Sequence, residues 1–513
     1  MIDDVKITLL RPPVCFSKAS LVLNIAPPLG LAYIAGTLKS LNYRYNVIDS
    51  ISMGFEEYGH TKEKDIYYRG LSTKDIISRI PATTNLLFVS CMFANDWNHT
   101  REIVKEIKSI RNDLKIIAGG ETVSALPDYI LEDCPELDYI CIGEGERFVA
   151  NFCHRFFGDL DVRETGGLAY RENGVVKVNG ERKRIIEVDE IPWPDWESFN
   201  IENYLNNSIS FGMDNGRVMP FNASRGCAYR CSFCSSPNMW GTRYIPRDPQ
   251  DIIKELSYYK ERYKVDSVEF HDLTLFMKKS WMNEFLKKMV AQKLNLSWTI
   301  TIGTRVEGFT EENIKLLKMA GCTYLTFAPE SGSNETLKYV EKRLKIERIY
   351  EKIKLVIDNQ ILTKINVIIG FPDETRVGIW KSLWMIIKCA YLGVNDISIS
   401  IFYPYPGSKF FDELVAKDEL KLNRSYFSSL YSNEYFKVKK HYCRNVGDLE
   451  LTFYSFFALA SFYALSYIFH PMKLFKFLKG IRQKKFETRL EKFLVGHRKA
   501  NVGGFRVKLL RNE

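Results

Sequence analysis

Ser224-Arg225-Gly226-Cys227-Ala228-Tyr229-Arg230-Cys231-Ser232-Phe233-Cys234-Ser235-Ser236-Pro237 packs three thiols, spaced C-x3-C-x2-C, into a short loop directly after the apolar run Val218 to Ala223. Three thiolates on a loop that follows a strand can bind three corners of a metal centre and leave the fourth open. A structural zinc site needs four closed ligands, usually as two separated pairs. The sequence has no second Cys pair, and only His271 on a neighbouring loop could complete such a set. Three free thiols beside Arg225 and Arg230 would be reactive, because nearby cations favour thiolates. An iron–sulfur cluster with one iron unligated by protein uses all three.

Working outward, residues 217–415 repeat one pattern. Strand-like runs at Val218 to Ala223, Val265 to Phe270, Leu296 to Ile302, Tyr324 to Ala328, Ile365 to Ile369 and Asp396 to Phe402 alternate with helical stretches. Consecutive βα units predict a (βα)6 partial TIM barrel of parallel strands, with its chemistry at the carboxyl-end rim. The cysteines follow the first of these strands. Phe270-His271-Asp272-Leu273-Thr274, Glu330-Ser331-Gly332-Ser333 and Gly370-Phe371-Pro372-Asp373-Glu374-Thr375 follow the second, fourth and fifth. Several loops therefore converge on one rim.

Residues 1–158 show a similar alternation, with runs at Lys6 to Leu10, Tyr45 to Ile48, Leu86 to Ser90, Lys115 to Ala118 and Tyr139 to Ile142, and helical patterns near 29–41, 99–111 and 146–157. Uninterrupted apolar strands between helices predict a doubly wound, Rossmann-like α/β domain whose ligands sit outside the carboxyl ends of the strands. The loops there are small: Pro27-Pro28-Leu29-Gly30, Ser90-Cys91-Met92, Gly119-Gly120-Glu121-Thr122 and Gly143-Glu144-Gly145-Glu146. Glycine lets a backbone approach a flat or bulky ligand. No G-x-G-x-x-G or P-loop is present. Residues 159–216 read as a hairpin around Asn173-Gly174, then the linker Ile191-Pro192-Trp193-Pro194-Asp195-Trp196.

Composition narrows the class. With 46% hydrophobic and 26% charged residues over 513 positions, the chain is an ordinary globular protein of two or three domains. The N-terminus lacks the basic, apolar, small-residue order of a secretory signal, so a cytoplasmic location is expected. Eight of the 11 cysteines are scattered singly in apolar surroundings and read as buried structural thiols. The net charge of +10 does not belong to the whole body: residues 471–513 hold 13 Lys and Arg against 3 Glu. No motif supports nucleic-acid binding.

Residues 416–513 are expected to be mostly helical and basic. The uncharged stretch 451–470 is long enough to span a bilayer, but its Ser, Thr and Tyr content favours a buried or interfacial helix. The run Lys473 to Lys492 that follows could rest on anionic lipid, giving a peripheral membrane contact; a solvated helix face is the plainer reading.

The cysteine spacing, the aromatic Phe233 before the last thiol, the six βα units and the three rim clusters resemble the radical S-adenosylmethionine (radical SAM) superfamily. That resemblance implies a [4Fe-4S] cluster on Cys227, Cys231 and Cys234 whose open iron chelates S-adenosylmethionine. It also implies that Phe233 lies against the adenine, that Asp272 holds the methionine amino end, and that Glu330 and Ser331 contact the ribose or amino group. The Pro27-to-Gly36 stretch, Gly119-Gly120, Asp138 to Glu146, the Trp193-Pro194 linker and Tyr403-Pro404-Tyr405-Pro406-Gly407-Ser408 are similar to the cobalamin-binding branch of that superfamily. For cobalamin this implies Leu29, Gly30, Tyr33, Ser90, Gly119, Gly120, Glu121, Gly143 and Glu144. The D-x-H-x-x-G pattern that supplies a cobalt-ligating His elsewhere is missing, as in most of the branch, and Glu121-Thr122 stands where relatives often have Pro-His. The implied activity is C-methylation of an unactivated carbon in a secondary metabolite or lipid-like intermediate, with a flavodoxin- or ferredoxin-type one-electron reductant. Ring formation or rearrangement with the same cofactors is the alternative, and a degenerate iron–sulfur binding or sensor protein is the second.

Overall fold

The computed structural model describes residues 5–17, 25–180, 184–211, 216–305, 308–432, 440–483, 488, 490 and 491. Its first part contains β1 (Ile7–Arg11), β2 (Val14–Ser17), β3 (Tyr45–Asp49), β4 (Tyr58–His60), β5 (Ile66–Arg69), β6 (Leu86–Ser90), β7 (Lys115–Gly119), β8 (Tyr139–Cys141), β9 (Leu168–Glu172) and β10 (Val175–Asn179). Seven of these form one sheet in the order β10-β9-β8-β7-β6-β1-β3. The β3-β1-β6-β7-β8 portion is parallel throughout. Helices Leu29–Ser40, Trp97–Ile110 and Gly145–Phe157 cover it. Neighbouring residues of one strand, such as Leu9 and Leu10, Leu86 and Leu87, or Ile116 and Ile117, are all buried, as a strand covered on both faces requires.

Two features depart from the sequence reading. The hairpin forms, with Asn173 and Gly174 both at positive φ (52° and 81°), the geometry of a primed turn. It does not stand apart, however: β9 pairs antiparallel with β8 and closes that edge of the first sheet, which therefore extends beyond residue 158. Likewise, Ile191 to Trp196 is clamped between domains. The Trp193 carbonyl oxygen lies 2.2 Å from where a Cβ on Gly36 would stand, so only glycine allows that approach. Trp193 Nε1 donates to Asp251 (3.2 Å) and Trp196 Nε1 to Tyr259 (3.1 Å), tying helix Leu29–Ser40 to helix Pro249–Tyr263. A further three-stranded sheet, β2-β5-β4, had no sequence signal.

The second part holds β11 (Val218–Phe221), β12 (Ser224–Arg225), β13 (Ile245–Pro246), β14 (Ser267–Phe270), β15 (Ser297–Thr304), β16 (Cys322–Glu330), β17 (Leu362–Ile369) and β18 (Asp396–Ile401). Six pair in parallel in the order β11-β14-β15-β16-β17-β18, the expected partial barrel. Phe270 and Trp298 both meet Phe285 of helix Lys279–Gln292, so alternate residues of these strands face the helices. Their neighbours face the lumen. Ile302, in the middle of this sheet, is 40% exposed. Buried side chains of the two sheets pack together in two shared core clusters.

Helix Asp448–Phe469 docks by one face, through Leu451, Tyr454, Ala458 and Phe462, onto the barrel. Tyr463 Oη donates to Asp396 (2.6 Å) and Arg376 forks onto Glu450 (2.8 Å). By length and composition it could cross a membrane, and only 33% of its most apolar window is buried. Of the basic run 473–492, positions 484–487, 489 and 492 lie outside the described residues.

Candidate active site

The thiol loop is shaped by its entry. β12 pairs antiparallel with β13, and Gly226 then turns at φ +82° where a Cβ would stand 2.2 Å from the Arg243 carbonyl oxygen. Ser232 anchors the middle of the loop: its N–H donates to Val340 O and its carbonyl accepts from Phe410 N. Cys234 N–H closes a turn onto Cys231 O at 3.0 Å. All eight single cysteines are buried, whereas Cys227, Cys231 and Cys234 are half-exposed, which separates the structural thiols from the clustered ones. Among the described residues, no three His, Cys, Asp or Glu side chains converge tightly enough for a single metal ion. A cluster seats each thiolate on a separate iron and does not need that convergence.

The charges around the loop are not the ones the sequence suggested. Arg225 turns away, to Glu144 (3.1 Å) and Glu146, and its guanidinium lies over Tyr33 at 5.1 Å. Arg230 is exposed. Instead Lys342 and Arg305, which sequence reasoning missed because they lie far along the chain, stand near the thiols. Burial pushes the Cys231 thiol up to about 11, and these two cations pull it down. Lys342 Nζ also pairs with Glu330 (3.0 Å), and Arg305 stacks on Tyr229 at 3.7 Å. Burial thus disfavours a bare thiolate at Cys231, while bound metal would hold it ionised.

The remaining rim residues each have partners within the protein. Both carboxylate oxygens of buried Asp272 are taken, by Ala223 N (3.1 Å) and the Ser224 hydroxyl, so it pins the entry to the thiol loop. Burial raises its pKa to about 6. Glu330 sits at φ +68°, a strained conformation for a non-glycine residue that costs roughly 1–3 kcal/mol. Ser331 is fully buried and bonded to Ser382 (3.0 Å). Phe233 stacks at an angle on Phe371, 5.6 Å away. Asn222 Oδ1, Thr304 Oγ1 and Asn366 Oδ1 are buried without a hydrogen-bond partner. Such atoms need partners, which a bound polar ligand would supply. The donor set fits a cluster with S-adenosylmethionine.

On the first sheet, register aligns Ser90 with Gly119 and Gly119 with Cys141, so Ser90, Gly119, Gly120, Gly143 and Glu144 share one carboxyl end. Gly30 and Gly143 have no atom within 4 Å of a built Cβ, and Met92 and Phe93, on the loop after Ser90 that passes Gly120, are exposed, at 41% and 51%. Open glycines and apolar surface fit a bulky planar group such as cobalamin. Leu29 and Tyr33 are buried, and Glu144 spends its carboxylate on Arg184 (2.8 Å) and Arg225. Glu121 reaches across the domains and accepts from Ser235 Oγ at 2.6 Å, one residue past Cys234. The two carboxyl-end rims therefore face one another.

Comparison with known proteins agrees with this geometry. Residues 221–383 match the radical SAM superfamily and residues 20–152 match a B12 binding domain. The chain is 28% identical over 417 residues to an uncharacterized methyltransferase of Pyrococcus horikoshii, covering 81% of this chain and 84% of that one. It is 26% identical to the cytidylyl-2-hydroxyethylphosphonate methyltransferase of Streptomyces wedmorensis (68% and 70% covered). It is also 26% identical to the anaerobic magnesium-protoporphyrin IX monomethyl ester cyclase of Cereibacter sphaeroides (76% and 60%). The radical S-adenosylmethionine methyltransferase TsrM of Kitasatospora setae, solved with cobalamin and a [4Fe-4S] cluster bound, superposes with a TM-score of 0.60 at 19% identity, covering 80% of this chain and 78% of that one.

Proposed function

The chain belongs to the radical SAM enzymes that carry a B12-binding domain, and from that premise we propose that it methylates an unactivated carbon of a small molecule, a secondary metabolite or lipid-like intermediate. When bound, the cluster with S-adenosylmethionine supplies hydrogen-atom abstraction, and methylcobalamin supplies the methyl group. Cys227, Cys231 and Cys234 would hold the cluster. Lys342 and Arg305 place positive charge beside the thiols, Asp272 fixes the approach of the loop, and Asn222, Thr304 and Asn366 offer unpartnered buried atoms to a polar ligand. Gly30, Gly119, Gly120 and Gly143 would underlie the corrin, with Met92 and Phe93 keeping water from its face. The carrying observation is the Glu121–Ser235 hydrogen bond, which sets the cobalamin-side loop against the thiol loop so that one substrate can meet both.

Anaerobic reconstitution with S-adenosylmethionine labelled in its methyl group and a flavodoxin- or ferredoxin-type reductant tests this reading. Label in the product supports it. The cyclase relative favours a second reading, ring formation with the same parts. Deoxyadenosine formed with an unmethylated, cyclised product establishes the second reading and removes the first. Failure to cleave S-adenosylmethionine at all removes both, leaving an iron–sulfur binding or sensor protein.

A further inference from the structure

Of the eight tryptophans, only Trp380 and Trp384 are exposed, at 47% and 64%. Both lie on helix Arg376–Leu392, and with Val377 and Tyr391 they recur at helical spacing along its outer face. The adjacent helix Asp448–Phe469 presents an outer stripe of Leu449, Phe453, Phe456, Ala460, Ala464 and Ile468, every one exposed and none polar. A solvated helix face carries polar residues there. The two stripes join: Trp380 packs edge-on against Phe457 (5.9 Å), Phe453 stacks on Phe457 (5.9 Å), and Tyr391 meets Phe469 (5.1 Å). Helix Pro471–Gln483 extends the surface with exposed Met472, Phe475 and Leu478, interleaved with Lys476 and Lys479. Apolar surface this continuous on one face of a folded chain marks an interaction site.

We propose that this face, centred on Trp384 and Phe456, seats the protein on the surface of an anionic lipid bilayer. Tryptophan and tyrosine at the edge of an apolar patch suit the boundary between headgroups and acyl chains, where one part of the ring is dry and the other wet. Charge selects the occupant. Helix Pro471–Gln483, on this face, carries Lys473, Lys476, Lys479 and Arg482 and no Asp or Glu. A negatively charged leaflet attracts such a segment. Two copies apposed through the face would bring Lys476 and Lys479 of each helix Pro471–Gln483 together, at an electrostatic cost. The docked face of helix Asp448–Phe469 stays on the barrel, so the protein lies on the membrane and does not span it. This inference does not depend on the proposed reaction.

Flotation of the full chain with phosphatidylcholine vesicles, with and without phosphatidylglycerol, tests it. Binding is expected only with phosphatidylglycerol, and raised salt weakens it. The double substitution Trp384→Gln and Phe456→Gln is expected to lower partitioning about tenfold or more, with iron content and circular dichroism unchanged. Equal binding to both vesicle types, or none to either, overturns the proposal. A homodimer in sedimentation velocity that the same double variant dissociates also overturns it, and assigns the face to self-association.

Discussion

The two rims that meet at Glu121 and Ser235 are built on different principles. The barrel rim is a site of side chains: three half-exposed thiols, a buried Lys342–Glu330 pair, a fully bonded Asp272 and a strained Glu330. The rim of the first sheet is a site of backbone, where Gly30 and Gly143 face open space and Glu144 is committed to arginines. A reactive metal centre needs particular donor atoms, whereas a large rigid ligand needs room and close backbone approach. The first rim should therefore fail when chemistry is removed, and the second when volume is added.

The most severe test of that contrast is Cys227→Ala, Cys231→Ala or Cys234→Ala. Each is expected to abolish cluster absorbance and turnover, and iron retained with activity in any one of them would refute its assignment as a ligand. Next comes Arg225, whose guanidinium is buried between Glu144 and Glu146 at the junction of the domains. Arg225→Ala leaves buried Glu146 without its partner, while Glu144 keeps Arg184, and should cost about 3–5 kcal/mol, measured by urea unfolding of the cluster-free chain. A loss below about 1 kcal/mol, the scale of an exposed pair, would mean that the domains are not held together there.

The three cysteines and Arg225 also show what could be read from the sequence. Three thiols at C-x3-C-x2-C are local, so their meaning survives without a structure. So does the alternation of strands: each of the barrel runs became a strand within a few residues of its expected place. Arg225 stands two residues from Cys227, and nearness in sequence suggested nearness in charge. The β12–β13 pairing and the Gly226 turn point it to the other domain instead. Lys342 and Arg305 carry no motif, and only the barrel's closure of distant loops brings them to the thiols. The hairpin at Asn173-Gly174 was legible as a turn, but its docking on β8 depends on an edge that local sequence does not describe.

Glu374 probes the barrel rim by pH. It accepts from the N–H groups of Gly370 (2.7 Å) and Phe371 (3.3 Å), and burial raises its pKa from 4.5 to about 7. Below the unfolded value both states are protonated and it contributes nothing. As pH rises from about 4.5 to about 7, the unfolded chain releases a proton that the folded one keeps, so stability falls, by at most ~1.4 kcal/mol per pH unit. Glu374→Gln removes this dependence, so the variant should gain on the parent across that window in urea unfolding. Parallel curves would show that Glu374 ionises normally.

Gly30 supplies the complementary test on the first sheet. It sits in the first turn of helix Leu29–Ser40, is exposed, and has no atom within 4 Å of a built Cβ. Leucine is a better helix former than glycine by roughly 1 kcal/mol, so Gly30→Leu should leave the unfolding midpoint unchanged or higher. Cluster absorbance should also persist, since no thiol is touched. If the open space above Gly30 is where the corrin rests, the added side chain fills it, and hydroxocobalamin uptake should weaken about tenfold, or ~1.4 kcal/mol. A folded, cluster-bearing variant that takes up cobalamin as the parent does would place the ligand elsewhere and end the distinction between a rim of chemistry and a rim of shape. Loss of uptake with the fold intact would establish that this rim recognises by volume, because the substitution removes no donor, acceptor or charge.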